Sequence, residues 1–155
     1  VYNINMNKDI NDLQIGIAGE YLVCADLILK GYTAYPSGQG LHYDIVLDNG
    51  KELLKIQVKT TRKPVPVPQR VKRTDKYCFN IRRCGRGGRH SYKDGDVDIF
   101  ALVALDSRTI AYLKNEEAKQ TMFFIPENKE ALDVNRGIQC KLGKLSDYKI
   151  EQCLK

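Results

Sequence analysis

The pair Asn49-Gly50, set between two β-rich runs, constrains this chain more than any other feature of its sequence. Both residue types tolerate positive φ, so residues 43–48 and 52–60 are expected to form a β-hairpin closed by a two-residue type I′ turn. In that register Asp48 pairs with Lys51, and Asp44 faces Lys55. Side chains alternate along a strand, so Lys55, Gln57 and Lys59 share one face while Leu54, Ile56 and Val58 share the other. Asp44 lies on the polar face, with Gln57 as its diagonal neighbour and Cβ atoms about 7–8 Å apart. Ile45 and Leu47 extend the opposite, apolar face and can anchor the hairpin on a core.

The chain's 155 residues suit one domain with one sizeable core. Ahead of the hairpin, Asp9 or Asp12 can cap a helix running to about Lys30, with Gly31 as its stop. Leu13, Ile17, Tyr21, Ala25 and Ile28 recur there at helical spacing and predict a buried stripe. Ala18 and Gly19 are small enough to let the helix lie close to a sheet, and Glu20 sits at the stripe's margin. Further strands are expected at 32–36, 77–81, 109–113 and 122–125, and residues 98–105 suit a buried central strand. Pro64, Pro66 and Pro68 mark extended surface chain. Residues 82–95, rich in Arg and Gly, read as a mobile loop. Helical stretches are expected near 115–120, 127–135 and 147–154. There are no internal repeats, and residues 1–155 read as a single α/β domain.

Charge is strongly partitioned. Lys55 to Lys93 holds 13 Lys/Arg against one acid, Asp75, so this stretch carries +12 and the remainder −6. A basic segment this concentrated is the electrostatic footprint of a polyanion partner. Arg82, Arg83, Arg86 and Arg89, with Gly85, Gly87 and Gly88, suit an arm that follows phosphates or enters a groove. Lys55, Arg62, Lys63, Arg70, Lys72 and Arg73 belong to the same footprint and add affinity rather than sequence reading. Cys24, Cys78, Cys84, Cys140 and Cys153 contain no C-x-x-C pair, and neither His42 nor His90 completes a zinc set. They read as reduced cysteines. No apolar run reaches the roughly 20 residues of a membrane span. The polar, Asn-rich residues 1–12 resemble neither a secretory signal nor a transit peptide, so the expectation is a cytoplasmic protein.

Packing explains Asp44, Gln57 and Lys59 on one sheet face poorly. A hard divalent cation takes oxygen ligands, and a carboxylate with an amide carbonyl and waters suits Mg²⁺ (or Mn²⁺). A lysine two residues along the same face can orient or deprotonate a bound water and offset negative charge. Glu20, on a helix beside the hairpin, is a further candidate metal ligand. Asp96 and Asp98 could form another metal pair, but Asp98 reads better as a strand-start residue.

These residues together resemble a known superfamily. Gly19-Glu20, Tyr43-Asp44 with Ile45-Val46, and Ile56-Gln57-Val58-Lys59-Thr60 look like the PD-(D/E)XK nucleases. They are most similar to the branch of small homing endonucleases encoded in group I introns, in which the third position is also Gln. The strand 77–81, then Tyr92, Gly95-Asp96-Val97-Asp98 and Phe124-Ile125-Pro126, extend the resemblance over residues 13–126. It implies a mixed central β-sheet flanked by helices and Mg²⁺-dependent cleavage of double-stranded DNA, at a long specific site as homing enzymes do. It also implies a homodimer or homotetramer. Residue by residue, Glu20 corresponds to the helix acid, Asp44 to the metal-bridging aspartate, Gln57 to the substituted third ligand and Lys59 to the catalytic lysine. Gln57 departs from the wider superfamily and removes one negative charge from the metal site. A Holliday junction resolvase is the nearest alternative, and restriction and repair enzymes share the same features. A DNA-binding module without catalysis is the alternative of another class.

Overall fold

The computed structural model describes residues 10–66, 75–85, 88–129, 132–135 and 138–155. Its first element is the helix α1 (Asp12–Leu29). The cap is Asn11, not Asp9 or Asp12. Asn11 Oδ1 accepts the Gln14 N–H at 2.9 Å and the Gln14 side chain accepts the Asn11 N–H at 3.0 Å, a reciprocal capping box. At the other end Gly31, at φ 89°, allows its own N–H to reach the Ile28 carbonyl and the Tyr32 N–H to reach that of Leu27, the paired bonds of a Schellman motif.

The sheet is mixed. Strands β1 (Thr33–Pro36), β2 (Ile45–Asp48) and β3 (Leu53–Thr61) pair antiparallel in sequence order. Strands β4 (Tyr77–Asn80), β5 (Arg83–Gly85) and β6 (Gly88–His90) fall in the crossover that follows. That crossover lets β7 (Ile99–Ala104) run parallel beside β3, as a parallel pair requires. β8 (Thr109–Lys114) then closes the sheet antiparallel to β7, in the order β1-β2-β3-β7-β8. β7 is buried along its whole length, as its unbroken apolar run demands.

Each face of the sheet carries its own core. Val23, Cys24 and Leu27 of α1 pack on Ile45, Leu47, Ile56, Val58, Ile99, Ala101 and Val103, and Ile150 joins them from the short helix α2 (Ile150–Cys153). Both helices therefore lie on this face. The other face is covered by β4 paired with β9 (Thr121–Phe124), together with Leu145. There Phe124 meets Phe79 and Tyr148 edge-on, at 5.9 and 5.4 Å between ring centres.

Several expectations need correction. The stripe predicted to be buried on α1 is the exposed one: Leu13, Ile17, Tyr21 and Ile28 face outward, while Ile15, Gly19, Val23, Cys24 and Leu27 face the sheet. The helix is apolar on two sides, so periodicity alone cannot choose between them. The small residue Gly19 decides it, because only its side can approach β3 closely. The helix expected at 127–135 is not formed: Leu132–Asn135 is a strand, β10, paired with β11 (Ile138–Lys141). The region 82–95 is not simply a loop, since β5 and β6 pair as a short ribbon.

The hairpin register also differs. Asp48 lies opposite Leu53 and Ile45 opposite Ile56, so the loop has four residues, 49–52, and Asp44 falls beside Gln57 rather than Lys55. A type I′ turn needs positive φ at both central positions, and of these two residues only Gly50 has it. Side chains hold the longer loop instead. Asp48 Oδ1 accepts the Gly50 N–H at 2.8 Å, and Asn49 Oδ1 accepts those of Lys51 and Glu52 at 2.9 Å. Because the shift is two residues, every side chain keeps its predicted face.

Candidate active site

The site forms where β2 leaves β3. The Asp44 N–H still donates to the Ile56 carbonyl at 2.8 Å. Two residues on, the Val58 N–H points to the same edge and is taken by Asp44 Oδ2, also at 2.8 Å. The carboxylate thus replaces the next backbone acceptor of the strand, which fixes it at the sheet edge. Gln57 Nε2 donates to the same oxygen. Both donors use Oδ2, and among the described residues no hydrogen bond to Oδ1 is made, so that oxygen can accept from or ligate a bound group.

Glu20 reaches this edge from α1. Contact between α1 and β3 is very close at Gly19: a Cβ built there would lie 1.9 Å from Thr60 Oγ1. No side chain larger than hydrogen fits, and Glu20 is placed by that contact. Burial raises the Glu20 pKa above the usual carboxylate range, and the negative charge of Asp44 raises it further. Burial also raises Asp44, against the opposing pull of the Val58 N–H, Lys59 and Gln57. Two desolvated acids that feel one another are both stabilised in their charged forms by a cation placed between them.

Lys59 occupies the third side. Its Nζ donates to the Arg82 carbonyl at 3.0 Å and lies 5.5 Å from the centre of the Tyr92 ring. Tyr92 in turn packs edge-on against Phe100 at 5.2 Å. Lys59 is therefore held by the residue just before the β5–β6 ribbon and by one just after it. Sequence periodicity offers no signal for the role of Tyr92, because the contact depends on how a long crossover folds back.

The structure brings Glu20, Asp44, Gln57 and Lys59 together. Of the basic positions, Lys55 Nζ donates to the Gly95 carbonyl at 2.7 Å and Arg62 to that of Ile10 at 3.0 Å, so both also brace the chain. Lys63 is exposed, and Arg82 is partly buried. Arg83 and Arg89 lie on the β5–β6 ribbon. Arg70, Lys72, Arg73 and Arg86 lie outside the described residues. Asp98 stands immediately before β7, its Oδ2 accepting the Lys55 N–H at 2.8 Å, in keeping with a strand-start role. A cleft of about 590 Å³ lined by Lys63, Tyr77, Asp106 and Glu127 lies apart from the four site residues. There the Tyr77 hydroxyl donates to Asp106 and burial pushes its pKa up to about 12, which marks a structural contact.

The donor set fits a hard cation. Among the described residues no three His, Cys, Asp or Glu side chains converge, so a metal here would rest on two carboxylates, the Gln57 amide oxygen and water. That is a set suited to Mg²⁺, which keeps several waters and takes only one or two carboxylates. Residues 10–139 match the family described as PD-(D/E)XK endonuclease. Among solved structures a bacterial homing endonuclease, I-Ssp6803I, superposes with a TM-score of 0.66 at 17% identity, over 94% of this chain and 93% of that one. At that identity the likeness is one of fold. No curated protein matches.

Proposed function

The chain belongs to the PD-(D/E)XK endonuclease family, and from that premise we propose that it is a Mg²⁺-dependent endonuclease of double-stranded DNA that cuts at a specific site, as an intron-encoded homing enzyme does. Nuclease chemistry follows from the family. The metal, the duplex substrate and the site specificity are our reading. The observation that carries it is the junction of Asp44, Gln57 and Lys59 at one sheet edge, with Glu20 close enough for its pKa to respond to Asp44. A homing endonuclease that shares the fold almost end to end supports the choice of substrate.

Glu20, Asp44 and Gln57 would hold the cation; Mn²⁺ would satisfy the same donors. Bound there, the cation supplies charge stabilisation at the phosphate and an acidified water. Asp44 contributes a ligand oxygen already oriented by the Val58 N–H, so little ordering remains at the moment of reaction. Gln57 orients Asp44 through its amide and lowers the net negative charge of the site by one relative to an acidic residue. Lys59, a cation steadied by the Arg82 carbonyl and the Tyr92 ring, sits where it can orient the attacking water and offset charge on the scissile phosphate. Two or four copies of the chain, as a homodimer or homotetramer, would give each strand of the duplex its own site.

Incubating the purified protein with supercoiled plasmid and a labelled four-way junction, in Mg²⁺ or EDTA, tests the reading. We expect Mg²⁺-dependent cutting of duplex that Asp44→Ala and Lys59→Ala each reduce by about 10³-fold or more, with DNA binding largely intact. Preferential cutting of the junction would make the enzyme a resolvase. Wild-type rates in either variant would show that the site is misplaced.

A further inference from the structure

The β5–β6 ribbon has little support of its own. Its strands have three residues each and pair with no other strand among the described residues, and an isolated two-stranded ribbon is only marginally stable in water. Charge adds to the difficulty. Arg82, Arg83, Arg86 and Arg89 fall within eight residues, and no acid stands between Asp75 and Asp94, so the segment repels itself until a polyanion neutralises it. Its roots are firm by contrast. Ahead of β5, Ile81 is buried and its N–H donates to the Gln120 carbonyl at 2.9 Å. After β6, the Tyr92 ring meets buried Phe100 edge-on.

Lys59 is gripped at those same two roots. Its Nζ donates to the carbonyl of Arg82, the residue before β5, and lies over the ring of Tyr92, two residues after β6. We propose that the ribbon sets the position of Lys59: Tyr92 and the Arg82 carbonyl are positioning groups, and duplex DNA held by the ribbon fixes Lys59 through them. A lysine carries its ammonium on a flexible four-carbon stem with much rotamer freedom to lose, so the ammonium goes where its outer contacts put it. One contact is a directional hydrogen bond and the other a ring face, and a tilt of the ribbon about its roots moves both together. From this position the charge of Lys59 still reaches Asp44, whose pKa it lowers, so a displacement of Lys59 is felt at the site. Arginines that only attracted DNA would change its affinity alone. Arginines coupled to Lys59 also change the cleavage rate once DNA is saturating. What Lys59 acts on rests on the nuclease reading above; the hold of the ribbon on Lys59 does not.

The test is the Lys59 ε-methylene signal, read by NMR in the lysine-labelled full chain and identified by its loss in Lys59→Arg, with EDTA present so that DNA is not cut. In the free protein the Tyr92 ring current should displace this signal from the ordinary lysine position. Tyr92→Phe should keep the displacement and Tyr92→Leu should abolish it, with circular dichroism to monitor folding. Saturating duplex should move the signal in the wild type. In a variant carrying both Arg83→Ala and Arg89→Ala, driven to saturation with excess duplex, that move should be lost. In Mg²⁺ the single-turnover rate at saturating duplex should fall about 10- to 100-fold in Tyr92→Leu and in the double arginine variant, and stay near that of the wild type in Tyr92→Phe. Duplex affinity should fall in the arginine variant and be kept in Tyr92→Leu. A Lys59 signal unchanged in Tyr92→Leu, or one that duplex leaves in place in the wild type, overturns the proposal. So does a move that persists in the arginine variant, or a saturated rate which that variant leaves intact. A wild type that cuts no DNA defeats the nuclease reading instead, and the NMR comparison still decides whether the ribbon positions Lys59.

Discussion

At Asp44 one carboxylate oxygen takes two internal hydrogen bonds while the group as a whole is drawn out of water. Burial prevails over those bonds and over Lys59, and the pKa lies above the ordinary range, as does that of Glu20. A carboxyl whose pKa is higher in the folded than in the unfolded chain favours folding most when protonated. Its contribution is present at acid pH and is lost as pH rises through the raised value. The metal-free protein is therefore expected to lose stability across that window, and Asp44→Asn, which keeps an acceptor for the Val58 N–H, should flatten the dependence. Thermal unfolding between about pH 4 and 7 measures it. At neutral pH the variant should melt no lower than the wild type, and added Mg²⁺ should raise the melting temperature of the wild type alone. A lower melting point in Asp44→Asn would mean that the charged form of Asp44 is worth more to its hydrogen-bond partners than its burial costs. The identities of Asp44, Gln57 and Lys59 were legible because each is an unexpected polar group on a strand face. The grip of Tyr92 on Lys59 was not, since it arises from chain that returns from far along the sequence; nor was the Val58 bond, which depends on where β2 parts from β3 rather than on residue type.

Between elements, the contact that matters most is α1 on β3. Gly19 admits no Cβ without displacing Thr60, and Thr60 Oγ1 is buried with no hydrogen-bond partner among the described residues. Gly19→Ala should cost about 1–3 kcal/mol through overpacking and, by shifting the helix, lower cleavage as Glu20 moves. Adding Thr60→Ala removes the nearest atom and should recover part of that loss. Denaturant unfolding of the two single variants and the double variant gives the coupling directly, and strictly additive effects would show that helix and strand adjust independently. The hairpin teaches a related lesson. Asn49-Gly50 correctly announced a turn, yet the side chains of Asp48 and Asn49 chose a longer loop, and the register moved by two. Residues 127–135 read as helical and instead include a strand, because the pairing of β10 with β11 outweighs weak local preference.

For the molecule as a whole, the +12 stretch from Lys55 to Lys93 is not all free for a polyanion. Lys76 is buried, and Lys55 and Arg62 also brace the fold. The better candidates for phosphate binding are Arg70, Lys72 and Arg73 with the arginines of the β5–β6 ribbon. Replacing Arg70, Lys72 and Arg73 together by alanine should make the salt dependence of DNA binding shallower by about 0.9 for each phosphate no longer neutralised; an unchanged slope would place the DNA path elsewhere. By itself the sequence determined a single α/β domain, the positions of the principal sheet strands along the chain and the faces of β2 and β3, and it proposed the four residues of the candidate site. Those features follow from local alternation and from polar groups out of place in an apolar pattern, which any register consistent in parity preserves. Only the tertiary structure decided which side of α1 is buried, where the hairpin closes, and what holds Asp44 and Lys59. The side of α1 and the hold on Lys59 depend on contacts between segments distant in sequence, where one missing Cβ at Gly19 outweighs the periodicity of a whole helix; the closure of the hairpin and the hold on Asp44 depend on which of several competing side-chain hydrogen bonds form within the hairpin, which turn propensity alone does not choose.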